Sequence, residues 1–224
     1  MSEAPATRDA TATAVRAATA EPEDQLRADT YRLLGRLLAT APDDATLALL
    51  AEAPVAEDGD LLAVAWRLLA TSAGRTTASQ VLDEYETLFI GIGRGELMPF
   101  ASWYLTGFLM EQPLAKLRFD LRRLGFERQD GVREPEDHAA ALCETMALLA
   151  GDDTTLETQA EFFEAHIGPW MARLFRDMQE ATTARFYRAV GQLGEQFIET
   201  DQRYLEMVER REEIPAEPTR TGIA

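Results

Sequence analysis

Apolar residues recur three or four positions apart along almost the whole chain, in runs set off by proline or glycine. Leu26, Tyr31, Leu34, Leu37 and Leu38 form the first run, and Pro42 follows it. Later runs hold Leu62, Trp66 and Leu69 before Gly74, then Met171, Leu174, Phe175 and Met178 after Pro169, then Phe186, Val190, Leu193, Phe197 and Leu205 before Pro215. Such spacing gathers side chains on one face of an α-helix, whereas the two-residue alternation of a half-buried strand is hard to find. The prediction is an all-α fold, a bundle of about eight to ten helices in two lobes. Gly131 and the dense charges of residues 126–133 mark a hinge between an N-terminal lobe, 24–125, and a C-terminal lobe, 134–210. Residues 1–23 and 211–224 are expected to be flexible tails.

Charge narrows the choice of partner. Lys and Arg number 22 against 39 Asp and Glu, a formal charge of −17, which argues against a nucleic-acid backbone or an anionic membrane as the main partner. A basic partner is the natural complement. Between Glu127 and Glu164 stand eleven carboxylates and two arginines, a net of −9 in 38 residues. This run reads either as a solvated acidic face or as a docking surface for a basic peptide. Residues Leu114 to Leu124 show the opposite bias, with Lys116, Arg118, Arg122 and Arg123 on an amphipathic helix expected to pair with nearby carboxylates. Cys143 is the only cysteine, so no internal disulfide forms. The N-terminal residues lack the continuous apolar stretch of a secretory signal, and a cytoplasmic location with no stable membrane insertion is expected.

Two short clusters stand out from this scaffold. In the first, Tyr85-Glu86-Thr87-Leu88-Phe89 shares a helix face with Val81 and Leu82 and runs into a loop punctuated by Gly91, Gly93, Gly95 and Pro99, ending at Phe100. The glycines read as loop flexibility. Beyond it, Trp103, Tyr104, Phe108 and Leu109 are expected to form an aromatic turn of helix. In the second cluster, Glu134-Pro135-Glu136-Asp137-His138 opens a helix, with Pro135 suited to its first position and Asp137 to a capping box. His138 begins an inward stripe continued by Leu142, Met146 and Leu149. A well-made helix start accounts for these residues, and one rim of a polar patch beside an apolar groove does so equally.

No catalytic constellation emerges. Two histidines and one cysteine are too few for a typical zinc site, and Gly91-x-Gly93-x-Gly95 follows a helix and lacks the Gly-Lys-Ser/Thr of a phosphate loop. No serine sits in a Gly-x-Ser-x-Gly elbow. The chain is expected to be no enzyme, with no cofactor and no metal of its own.

The order and spacing of the two clusters resemble the TorD/DmsD/NarJ family of cytoplasmic maturation chaperones for molybdenum oxidoreductases. His166-Ile167-Gly168-Pro169-Trp170, followed by Phe175 and Arg185-Phe186-Tyr187, is similar to the family's C-terminal helices, so the likeness spans residues 25–208. It implies a protein that binds the twin-arginine signal peptide or the apo form of such an enzyme's catalytic subunit before cofactor insertion and export. It further implies that Tyr85, Leu88, Phe89, Pro99, Phe100, Asp137 and His138 line the peptide-binding region, with Trp103 and Glu134 beside them. The loop Leu97–Leu109 is most similar to members associated with formate dehydrogenases, and a DMSO or TMAO reductase is the other client type the resemblance allows. A homodimer, including one with exchanged helices, is also compatible with it. Three alternatives stand: a NarJ-like assembly factor for a non-exported subunit, a plain helical interaction protein, and an enzyme using Asp137 and His138 as an acid–base pair.

Overall fold

The computed structural model describes residues 22–54, 59–128, 134–152 and 154–212. The two expected tails and residues 129–133 of the expected hinge therefore lie outside the described residues, apart from the adjoining ends. Ten α-helices follow one another: α1 Pro22–Ala39, α2 Asp44–Ala51, α3 Leu61–Ala73, α4 Ala78–Tyr85, α5 Ala101–Thr106, α6 Gln112–Arg123, α7 Ala139–Gly151, α8 Leu156–His166, α9 Met171–Glu180 and α10 Phe186–Glu212. A π-helical turn, Glu86–Ile90, prolongs α4, and no strand occurs among the described residues. The fold is the all-α bundle that the periodicity predicts.

Side chains set several of the helix starts. Asp43, Asp60, Thr77 and Thr155 each accept a hydrogen bond from a backbone N–H in the first turn of the following helix, and Thr77 with Gln80 completes a capping box. Each satisfies a donor that the helix itself leaves open, worth about 1 kcal/mol.

Helix α10 is the spine of the bundle. It touches α1, α3, α4, α8 and α9, while α1 lies along α7. The apolar stripes read from the sequence fill this core: Tyr31, Leu34, Leu37 and Leu38 of α1, Met171, Leu174, Phe175 and Met178 of α9, and Phe186, Val190, Leu193 and Phe197 of α10 are all buried. Leu26, assigned to the same stripe of α1, is instead 67% exposed, while its neighbours Arg27 and Ala28 take the buried side of α1. Among the described residues no helix is long and apolar enough to cross a membrane.

A polar network runs through this apolar interior. The Asp201 carboxylate on α10 accepts hydrogen bonds from Arg27 Nε and from the Tyr31 hydroxyl, the latter at 2.7 Å, both on α1. Arg27 also donates to Gln159 Oε1 of α8 at 2.8 Å and to Asp24 at 2.7 Å. Arg27, Gln159 and Asp201 are all buried. Burial, reinforced by Asp201, holds the Tyr31 hydroxyl well above the ordinary phenol range. A buried charge left without its partner is costly, so Asp201→Ala is expected to lower the unfolding free energy by about 3–5 kcal/mol. The double replacement Arg27→Met with Asp201→Leu should cost less than that single change, and urea denaturation of the two variants measures the difference.

Candidate functional site

The first cluster does not hang from the helix end as a free loop. The Gly91 N–H reaches back five residues to the Glu86 carbonyl at 2.7 Å, closing the π-helical turn. Leu88 lies wholly in the core with Val81, while Leu82, expected on the same face, is 47% exposed. The chain then folds back on the turn it has left, with the Leu97 N–H donating to the Leu88 carbonyl at 2.8 Å. This return explains two of the three glycines. Gly91 has φ +62°, and a Cβ on Gly95 would lie 2.5 Å from the Phe89 carbonyl carbon and 2.6 Å from the Leu88 oxygen. They serve a close approach rather than flexibility.

Two carboxylates on either side of the cluster tie it to α10. Glu84 accepts from the backbone N–H groups of Arg185, Phe186 and Tyr187 at 2.7–3.0 Å, capping α10 from a distant helix. Glu96 accepts from the Thr182 N–H and the Thr183 hydroxyl, and the latter bond holds its carboxyl below the usual range. No local pattern signals either role, since the partners lie about a hundred positions away. Between them, the Tyr85 hydroxyl donates to the Leu38 and Ala39 carbonyls that end α1. Phe89 sits 5.1 Å from the Tyr85 ring and 5.2 Å from the Tyr187 ring. Burial raises the Tyr85 hydroxyl's pKa, and the Glu134 charge adds to this.

The two clusters meet through the backbone. Phe100 and His138 form an isolated antiparallel bridge, in which the Ala101 N–H donates to the Asp137 carbonyl at 2.9 Å and the Ala139 N–H donates to the Pro99 carbonyl at 2.8 Å. Their rings stand edge to face at 4.9 Å. Pro135 is not the first helical residue: residues 136–137 form a turn, and α7 begins at Ala139 with His138 as its cap, Nδ1 accepting from the Ala140 N–H. Asp137 accordingly closes no capping box on α7. It is 1% exposed, and its Oδ2 accepts from the Ser102 N–H at the start of α5. Among the described residues, Asp137 Oδ1 and Ser102 Oγ, both buried, have no hydrogen-bond partner, an arrangement that favours any movement or ligand supplying one. Ser102 carries no sequence signal for this role, being one serine at a short helix start.

The remaining expected residues divide by exposure. Leu88 and Pro99 are buried, Phe89, Phe100, Trp103 and His138 are partly exposed, and Glu134 is exposed. Arg94 lies over the Trp103 ring at 4.3 Å, which draws the glycine loop against α5. Phe108 and Leu109 belong to no helix: α5 stops at Thr106, Gly107 takes φ +82°, and Phe108, Leu109 and Met110 emerge 68%, 41% and 72% exposed. Ile90 and Ile92 are exposed on the glycine loop. Part of the acidic run is already engaged, because Glu136 pairs with Arg118 and Arg128, and Glu161 with Arg123. No group of three His, Cys, Asp or Glu side chains among the described residues could hold a metal ion. Cys143 is fully buried, which raises its thiol pKa strongly and makes it a poor nucleophile.

Comparison with known proteins gives the family. Residues 56–176 match the profile of the nitrate reductase delta subunit family. The chain is similar to the chaperone protein TorD of Shewanella loihica, 28% identical over 203 residues that cover 80% of this chain and 93% of that protein. The chaperone protein TorD of Shewanella piezotolerans is 28% identical over 212 residues, 84% of this chain and 96% of that protein. That of Vibrio cholerae is 26% identical over 138 residues, 57% and 63%. The chain belongs to the nitrate reductase delta subunit family. Within it, the chain is one of the TorD-like molybdoenzyme maturation chaperones, whose members are chaperones rather than enzymes.

Two measurements test the joint between the clusters. Burial lowers the His138 pKa from 6.5 to about 4, with Asp137 opposing the shift. Protons therefore favour the unfolded chain: the stability from neutral His138 is complete above pH 6.5 and is lost as pH falls towards about 4. The loss amounts to at most about 3 kcal/mol. His138→Asn keeps an acceptor for the Ala140 N–H and should flatten urea-denaturation stability across that pH window. Gly95→Ala forces a Cβ into backbone and should cost about 1–3 kcal/mol, read as a lowered Tm.

Proposed function

We propose that this chaperone holds the twin-arginine leader of a molybdenum oxidoreductase, and with it the apo catalytic subunit, in the cytoplasm until the cofactor is in place. The observation that carries the reading is the joining of the two clusters by the Phe100–His138 bridge, beside exposed apolar side chains and the exposed carboxylate of Glu134. A leader combines an arginine pair with an apolar segment, so its receptor needs charge beside an uncovered apolar surface. The leader's apolar segment lies against Phe89, Phe100 and Trp103 and the protruding Phe108–Met110. Its arginines meet Glu134 and the unengaged acids of the 127–164 run. Leu88 and Pro99 support this surface from beneath. Asp137, being buried, acts by holding the start of α5, and a guanidinium reaches its unpaired oxygen only if that joint opens.

Calorimetric titration with the leader of the molybdenum oxidoreductase encoded nearest this gene tests the reading. Replacing the arginine pair by lysines, substituting Glu134→Gln, or adding salt should each weaken binding, because exposed charge pairs are screened over about 8–10 Å. About fivefold is expected for Glu134→Gln. Binding indifferent to all three changes would remove the acids from the mechanism. The nitrate reductase description of the family favours one second reading, contact with a catalytic subunit that is not exported. Retention of the apo subunit without affinity for any leader would establish that reading instead.

A further inference from the structure

A second groove lies apart from the joined clusters, between the end of α3, α4 and the start of α10, with a volume of about 630 Å³. Arg75, Arg185 and Arg188 stand along it, all exposed. Among the described residues none of the three forms an ion pair; the one side-chain contact is from Arg188 Nε to the Gln179 carbonyl at 3.1 Å. Two carboxylates, Asp83 and Glu84, also line the groove, so three guanidinium groups stand against two carboxylates in a chain of net charge −17; among the described residues neither acid forms an ion pair with these arginines, and the Glu84 oxygens accept from the N–H groups that open α10. Leu68, 42% exposed, is the groove's apolar patch, among polar neighbours such as Thr71, Gln80 and Gln192.

We propose that this groove docks a polypeptide segment in which an apolar side chain is flanked by carboxylates. An exposed apolar side chain beside exposed charges has the layout of a protein interface. A small phosphate ligand instead calls for buried, fixed donors, and here the three guanidinium groups are exposed. Electrostatics adds selectivity, because the acidic remainder of the surface repels an acidic partner and leaves this groove as its landing place. Arginine suits the task, since its planar fork meets a carboxylate through two hydrogen bonds. Thr183, at one end of the groove, is held by Glu96 of the glycine loop, so the groove adjoins the element that carries the first cluster. The inference goes beyond leader binding and does not depend on it, since a leader is basic and this groove selects acid.

Fluorescence anisotropy with the full-length chain tests it. The probe is a fluorescein-labelled peptide of alternating glutamate and leucine, set beside versions with glutamine for glutamate and with serine for leucine. Binding of the first peptide, weakened about tenfold by the double variant Arg75→Ala, Arg185→Ala and unchanged by Arg122→Ala, is the expected result. Arg75 and Arg185 make no side-chain contact that folding needs, and an unchanged Tm and leader affinity would verify that the double variant is intact. No binding to the wild-type chain would overturn the proposal. So would equal loss in the Arg122→Ala variant, which would indicate diffuse attraction. Undiminished binding of the serine peptide together with full displacement by tripolyphosphate would make the groove a small-anion site, and would overturn the proposal as well.

Discussion

The Asp201 carboxylate is the point on which the bundle turns. It sits on α10, the helix that touches five others, and accepts from both Arg27 and Tyr31 on α1. Through Arg27 the same network takes in Gln159 of α8. Apolar stripes alone would let these helices slide or rotate past one another at little cost, since a leucine face has no fixed register. A charge that has left water and found a fork of donors accepts far less variation. The network thus fixes how α1, α8 and α10 are set, and α1 in turn carries α7, whose first residue adjoins the bridge between the clusters.

Position is inherited outward from this spine. Glu84 caps α10 and Glu96 holds the turn before it, so the glycine loop between those two acids is fastened to the bundle at both ends. Tyr85 is fastened to the end of α1. The joined clusters are therefore fastened at both ends, while Ile92 and the Phe108–Met110 turn project as exposed apolar side chains at the margin. In the proposed function, the fastened base sets where the leader's apolar segment lies.

The fold was legible because one physical signal, three-to-four spacing, dominates the chain. Met171, Leu174, Phe175 and Met178 are all buried as their spacing required. The errors have local causes. Pro135 is a good first residue for a helix, yet the backbone bridge to Phe100 claims this stretch and delays α7 until Ala139. Leu82, next to Val81, lies about 100° round α4 from the Val81–Leu88 face that the core takes, so it faces solvent. The site was less legible than the fold. The resemblance brought Phe100 and His138 to attention, and the structure places them in contact, but burial of Asp137 could not be read from a run of acids. The long-range carboxylate caps and the arginine groove depend on residues roughly a hundred positions apart, beyond the reach of any local pattern.

One consequence of the α6 ion pairs concerns release rather than capture. Glu136 and Glu161 already hold guanidinium groups from Arg118, Arg128 and Arg123 of the same chain. An incoming arginine that takes either acid displaces a resident, so one pair is exchanged for another of the same kind, and the net gain is small. The chain in effect carries its own competitor for that part of its acidic surface. On the proposed function, a chaperone that passes an arginine-bearing leader onward gains from this, because the internal arginine stands ready to retake its partner the moment the guest lets go.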